Sequence, residues 1–163
     1  MLKVNTDCLY AYLAGIVDGE AYIGIKKDIW GMNNRPDVKS PTYHERISIK
    51  MKNPEIPKLF QDTFNGRFYK EPKIYQSKTG FTTKHIMYLY QATDKIAANI
   101  ISCLIPFLIE KKAQANYILK LRESKNSKEA RMRGGKNQKR TMSQTVLDYR
   151  EQLYQAIKEI HRG

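Results

Sequence analysis

The sequence predicts an α+β fold, a four-stranded antiparallel sheet with helices on one face and the other face open. Leu9, Tyr10, Leu13, Ile16 and Val17 recur at helical spacing, and from Ala21 to Ile29 the period changes to two. A period of two returns over Thr42 to Lys52, with Ile47, Ile49 and Met51 pointing one way and Arg46, Ser48, Lys50 and Lys52 the other. The resulting order is helix, two strands, helix, two strands, then helices, and one antiparallel sheet covered on a single face satisfies it.

Asp7 is positioned to cap the first helix, which stops at Gly19. A loop rich in Gly, Asn and Pro, Gly31 to Pro41, separates the first two strands, with Trp30 at its edge. Asn53 as cap and Pro54 at the first position open a helix that ends at Asn65-Gly66. Arg67 to Gln76 and Lys84 to Gln91 read as the third and fourth strands, joined by a turn at Ser77 to Gly80. Thr93 or Asp94 opens the next helix, which Pro106 kinks or ends, and Lys111 to Arg122 forms another. Glu123 to Arg140 reads as a polar, basic loop. Thr141 with Gln144 resembles a capping box for a last helix that buries Val146, Leu153, Ile157 and Ile160.

A chain of 163 residues suits a single domain, with a core at 7–122, the basic loop at 123–140 and the C-terminal helix at 141–163. Cys8 and Cys103 form no C-x-x-C pair, so no zinc ribbon or redox motif is expected. The longest apolar run, Ile100 to Ile109, is half a membrane span and contains Pro106. No signal-peptide pattern is seen at Met1 to Asp7. These readings give a soluble, intracellular protein of cytoplasm, nucleoid or organelle matrix, with no membrane partner. The net charge of +13 costs self-repulsion, for which a polyanionic partner is the usual reason. Nucleic acid leads over a membrane surface, because the basic residues are spread along the chain.

Ala11, Gly15 and Gly19 fall four apart and form a stripe with almost no side chain. Glycine inside a helix costs about 0.5–1 kcal/mol relative to alanine, so the stripe asks for a reason. Close approach of a second helix is one; packing against the chain's own sheet is another. Glu20 then stands where the helix meets the first strand. A dyad along the stripe would set two Glu20 carboxylates side by side, an arrangement that needs cations between them.

Leu13-Ala14-Gly15-Ile16-Val17-Asp18-Gly19-Glu20-Ala21 resembles the signature that names the LAGLIDADG homing endonuclease family. Leu104-Ile105-Pro106-Phe107-Leu108-Ile109-Glu110-Lys111-Lys112-Ala113-Gln114-Ala115-Asn116 resembles the segment of single-motif members that reads roughly L-x-P-F-L-x-x-K-x-x-Q-A-N. The resemblance covers about Asp7 to Leu121. It implies an αββαββα fold whose saddle-shaped sheet binds DNA, and, with one signature copy, a homodimer. It further implies a site-specific, divalent-metal-dependent endodeoxyribonuclease that cuts both strands of a long pseudo-palindromic target. Such proteins are intron-encoded, mobile elements. Mg²⁺ is the implied cofactor, with Mn²⁺ able to substitute and Ca²⁺ binding without cleavage. The same resemblance leaves an alternative, an RNA-splicing maturase that binds intron RNA, or a non-cleaving DNA- or RNA-binding protein.

By that resemblance Glu20 is the metal ligand, one methylene longer than the Asp more usual there, with the Gly19 carbonyl as second ligand. Asp18 has a structural role near the dimer contact, which Ala11, Ala14, Gly15 and Gly19 complete. Lys111 falls on the family's active-site lysine. Asn53 matches an amide that holds a water, although capping the helix at Pro54 is an equal role for it, and Lys52 is an alternative active-site group. The polar side of the strands supplies the DNA-reading residues: Lys26 and Asp28, then Arg46, Ser48 and Lys50, then Arg67, Tyr69 and Lys73, then Lys84 or Tyr88. Lys125, Lys128, Arg131, Arg133, Lys136, Lys139 and Arg140 of the basic loop are expected on backbone phosphate.

Overall fold

The computed structural model describes residues 5–29, 33–34, 40–71, 75–76, 82–83, 85–127 and 142–162. The element order is α1 (Thr6–Glu20), β1 (Ala21–Asp28), β2 (Thr42–Met51), α2 (Glu55–Phe64), β3 (Arg67–Glu71), β4 (Tyr75–Gln76), β5 (Thr82–Thr83), β6 (Met87–Thr93), α3 (Asp94–Leu104), α4 (Lys112–Asn126) and α5 (Gln144–Ile160). β1, β2, β6 and β3 form, in that order, one antiparallel sheet. The expected α+β architecture is present.

Strand alternation sorts the sheet into two faces. Ile23, Ile25, Ile47, Ile49, Tyr90 and Ala92 are buried under the helices. There they meet Leu13 and Val17 of α1, Phe60 and Phe64 of α2, Ile100, Ile101 and Leu104 of α3, Ile118 and Leu121 of α4, and Leu153 and Ile157 of α5. Each large apolar side chain so buried contributes about 1.5–3 kcal/mol. The turn from α2 into β3 uses left-handed backbone at Asn65 (φ 63°) and Gly66 (φ 114°), and Tyr90 Oη donates to the Asn65 carbonyl at 2.5 Å.

Several boundaries differ from those expected of the sequence. Asn5, not Asp7, caps α1: its Oδ1 accepts from the Asp7 N–H at 3.0 Å, while Asp7 lies in the first turn, where an acid suits the helix dipole. The third strand stops at Glu71, and Tyr75–Gln76 pairs instead with Thr82–Thr83 in a separate ribbon. The fourth begins at Met87 and reaches Thr93, because Gln91 and Thr93 still pair with Ser48 and Arg46. Ser143 caps α5 through Oγ, and Ile160 is exposed at the end of that helix.

The largest departure concerns the segment read as a basic loop. α4 continues to Asn126 because its polar residues turn inward. Glu45, on the helix side of β2, is fully buried; Arg122 Nη2 lies 3.0 Å and Lys125 Nζ 2.5 Å from its Oε2. The Arg122 contact is close without the alignment of a hydrogen bond, so it is an electrostatic pairing. Buried Arg150 of α5 donates to Ser124 Oγ at 2.9 Å and to the Ser124 carbonyl at 3.0 Å. Desolvation pulls the Arg150 guanidinium down and Glu45 opposes it. Lys125, expected on backbone phosphate, is instead paired with Glu45 and Asp94 within the chain.

α5 is seated on the sheet through Glu151, which accepts from Lys27 Nζ at 2.8 Å and from Tyr43 Oη, while Gln155 Nε2 donates to its other oxygen at 2.8 Å. Burial raises the Glu151 carboxyl, but the hydrogen bonds from Lys27, Tyr43 and Gln155 outweigh it and bring it from 4.5 to about 2. A folded value below the unfolded one means stability that is present above 4.5 and is lost as pH falls towards 2. Asp94, also held low, acts in the same direction. Acid titration followed by limited proteolysis should release α5 within that window. Glu151→Gln should lower stability at neutral pH and flatten part of the acid-side slope; an unchanged slope would show that Glu151 does not carry it.

Candidate functional site

The end of α1 holds two carboxylates where the helix dipole is least favourable to them. Asp18 is compensated. Its Oδ2 accepts from the Ile109 N–H at 2.8 Å and its Oδ1 from the Lys111 N–H at 2.9 Å, so it caps the turn that leads into α4. Lys111 reaches back, and its Nζ donates to the Val17 carbonyl at 2.8 Å. A cation at a helix C-terminus is favourable. Burial lowers the Lys111 ammonium below its ordinary value, against the opposing pull of Asp18, Glu20 and Glu110. Glu20 is exposed and accepts no hydrogen bond among the described residues. The fold thus brings Glu20 and Lys111, distant in sequence, to one point at the edge of the sheet.

Glu20 and the Gly19 carbonyl are hard oxygen donors of the type that Mg²⁺ or Ca²⁺ takes. Among the described residues no group of three or more His, Cys, Asp or Glu side chains is arranged to hold a metal. The donor chemistry fits a hard cation. Asn53 Oδ1 accepts from the Glu55 N–H at 2.9 Å, so its amide oxygen works as the helix cap. Lys52, exposed beside it, forms no ion pair among the described residues.

The outward side of α1 presents Cys8, Ala11, Tyr12, Gly15 and Gly19. A Cβ at Gly15 or Gly19 would meet nothing within 4 Å among the described residues, so packing among them does not explain either glycine. Ala14 differs: it is fully buried in the protomer's own core, one helical step away from the stripe, and cannot face a partner. Asp18 is half-buried and committed to the Ile109–Lys111 turn.

The open face of the sheet is fixed by register. Tyr22 pairs with Ser48, Ser48 with Gln91 and Gln91 with Arg67, making one row; Gly24, Arg46 and Thr93 make the next. Lys26 faces His44, Asp28 faces Thr42, and Lys50 lies beside Leu89, which pairs with Tyr69. Lys26, Asp28, Arg46, Ser48, Lys50, Arg67 and Tyr69 all share this face. Tyr88 does not. It pairs with Met51, one residue out of phase with Lys50, and stacks on Phe68 of the covered side at 6.1 Å between ring centroids. Ion pairs hold the face in order: Lys26–Asp28 at 3.4 Å and Lys50–Glu71 at 2.5 Å, with Arg46 Nη2 donating to Gln91 Oε1 at 3.4 Å.

Tyr22, Thr42, His44, Gln91 and Thr93 belong to this face and were missed from sequence. The parity of Arg46, Ser48 and Lys50 would have found Thr42 and His44. Tyr22 was hidden because Tyr22, Ile23 and Ile25 look equally apolar; its ring folds across Gly24, where a Cβ would stand 2.3 Å from its hydroxyl. Trp30, Lys73, Lys84, Lys128, Arg131, Arg133, Lys136, Lys139 and Arg140 lie outside the described residues.

No protein-family model matches the chain, and no curated protein matches it. Solved structures do. The homing endonuclease I-CvuI, in complex with the I-CreI target, is 15% identical, with a TM-score of 0.67 over 97% of this chain and 85% of that one. The archaeal intron-encoded homing endonuclease I-Vdi141I, complexed with DNA, is 15% identical, with a TM-score of 0.68 over 95% of this chain and 85% of that one. The LAGLIDADG homing endonuclease I-GzeII, with its DNA target, is 19% identical, with a TM-score of 0.57 over 91% of this chain and 43% of that one. The chain has the LAGLIDADG homing endonuclease fold.

Asp18→Asn keeps the shape of the side chain and removes its charge and one of two acceptors. It should destabilise the chain by about 1.5–3 kcal/mol, the worth of a hydrogen bond to a charged group, measured by urea unfolding. An unaltered midpoint would mean that the α1–α4 tie contributes nothing to stability.

Proposed function

We propose that the chain is a homing endonuclease that works as a symmetric homodimer and hydrolyses double-stranded DNA at a long pseudo-palindromic site with divalent metal. The observation that carries this reading is the meeting of Glu20 and Lys111 at one end of an open, polar sheet face, in a protein of net charge +13. The open face offers lysine, arginine, amide and hydroxyl groups suited to base edges and phosphates. No helix among the described residues is long and apolar enough to cross a membrane.

The dimer reading is supported by the outward stripe of α1, whose glycines have open space above them. A second α1 packed there would bring the two Glu20 carboxylates together and supply what one chain lacks. The lengths agree: the chain spans 85% of I-CvuI but 43% of I-GzeII, as expected if the longer chain carries two such units. Two related half-sites in the DNA follow from the two-fold axis.

Phosphodiester hydrolysis needs an activated water, a neutralised phosphate and a stabilised leaving oxygen. Glu20 and the Gly19 carbonyl would hold the cation, which, when bound, supplies Lewis acidity at the phosphate. Lys111 is anchored by Val17 and made readier by burial to release its proton. It would neutralise phosphate charge or tune the attacking water. Asp18 keeps Lys111 in place and is not itself a ligand.

Two experiments test this reading. Gly15→Leu should convert the dimer to a monomer in sedimentation, because the added side chain fills the space the second helix requires; a DNA-cutting dimer of this variant would defeat the assembly proposal. For the chemistry, a target is first selected from a randomised duplex library, and single-turnover cutting in Mg²⁺ is compared with binding in Ca²⁺. Glu20→Gln should nearly abolish cutting and preserve binding. Lys111→Met should slow cutting roughly 10²–10⁴-fold, the range for a proton-transfer group, with binding again preserved. Wild-type cutting by Glu20→Gln would reduce Glu20 to a helix-end residue.

A further inference from the structure

His44 stands on the open face of β2, opposite Lys26 and beside Arg46, two pairs from the Asp28–Thr42 end of the β1–β2 ladder. Its Nδ1 lies 3.0 and 3.1 Å from the two carboxylate oxygens of Asp94, and its Nε2 lies 3.2 Å from Thr42 Oγ1. A carboxylate only accepts, so Nδ1 carries a proton. The Thr42 hydroxyl is shared between the Nε2 contact and the Asp28 carbonyl, 3.4 Å away. With Nδ1 committed to Asp94, Nε2 is the ring nitrogen left to the open face.

Asp94 is in turn held from below. Lys125 Nζ donates to Asp94 Oδ1 at 2.9 Å and to fully buried Glu45 at 2.5 Å. Asp94 takes left-handed backbone, φ 54°, at the junction of β6 and α3, where glycine would be less strained. An acid at that position is explained by its carboxylate. Burial raises that carboxyl, yet Lys125 and His44 bring it below its ordinary value. The charged groups around the ring are thus Lys26 and Asp28 of β1, Arg46 of β2, Asp94 of α3 and Lys125 of α4. Lys26 is turned to Asp28, and Lys125 to Asp94 and Glu45.

We propose that His44 is a DNA-contacting residue and Asp94 its positioning residue, with the His44 Nε2–H donated to an acceptor of DNA in place of Thr42. The acceptor is guanine O6 or N7, or a phosphate oxygen, in the outer part of each half-site, far from Glu20. The inference rests on the DNA-binding reading above. A histidine free to turn would lose more rotamer freedom on binding; one already oriented by a chain running to the buried Glu45 loses less.

The test is selection of bound duplexes from a randomised library in Ca²⁺, by wild type, His44→Gln and Asp94→Asn, with affinities of the winners measured across salt. If the acceptor is guanine, His44→Gln should erase a guanine preference at one symmetric pair of outer positions. If it is phosphate, all sequences should weaken alike, and the slope of log affinity against log salt should shrink by about 0.9 for each phosphate no longer neutralised. Asp94→Asn should reproduce the same fingerprint more weakly, and the ¹⁵N signals of His44 should change with it. Motif and affinity unaltered in His44→Gln would overturn the proposal, as would a preference for cytosine, whose major-groove edge only donates. A general loss confined to Asp94→Asn would make that residue merely structural. If wild type selects no duplex, DNA binding itself fails; if wild type selects a motif that His44→Gln retains at unaltered affinity, only this inference fails.

Discussion

Asp18 takes two backbone N–H groups from the α3–α4 turn while Lys111 of that turn returns a hydrogen bond to the Val17 carbonyl. This reciprocal grip joins the C-terminus of α1 to the N-terminus of α4, and the rest of the site depends on it. The dipoles explain its sense. Carboxylates at the end of α1 are out of place until N–H groups meet them, and the start of α4 has N–H groups to give. With Asp18 consumed in this way, Glu20 is left exposed and Lys111 is brought to its side.

A second constraint is the separation of charge by the sheet. The covered face holds a buried acid, Glu45, among Arg122, Lys125 and Arg150, while the open face holds lysines and arginines ordered by Asp28, Glu71 and Gln91. Taking two ions from water costs several kcal/mol each, and removing one partner of a buried pair typically costs about 3–5 kcal/mol. The interior cations are therefore committed to α4 and α5. The open-face cations are half-exposed and can exchange a side-chain partner for a ligand at small expense.

Features that depend on pattern were legible in the sequence, and features that depend on partners were not. Periodicity located β1, β2 and every long helix, and the motif residues Glu20 and Lys111 do converge. Ala14 was expected at a dimer contact with Ala11, Gly15 and Gly19, but helical phase turns it into the core beside Leu13 and Val17. The chain from Glu123 to Asn126 looked like solvated loop because polarity alone cannot reveal an acid waiting under the sheet; Glu45 is that acid. Asp7 and Asn5 are both good caps by composition, and only backbone geometry chooses between them. Tyr88 shows the remaining hazard, that a fourth strand phased one residue out exchanges its two faces.

Alternation along β1 and β2 also governs how such a protein can diverge. Substitutions at Lys26, His44, Arg46, Ser48 or Lys50 alter the open surface and leave Ile23, Ile25, Ile47 and Ile49 packed, so surface chemistry and stability are inherited through separate residues of the same strand. Insertions and deletions have no such freedom. One residue gained between Tyr43 and Ile49 would export the isoleucines and drive arginine and lysine into the core. Lineages with this architecture should therefore vary the open surface by point replacement within the strands and confine changes of length to the connections.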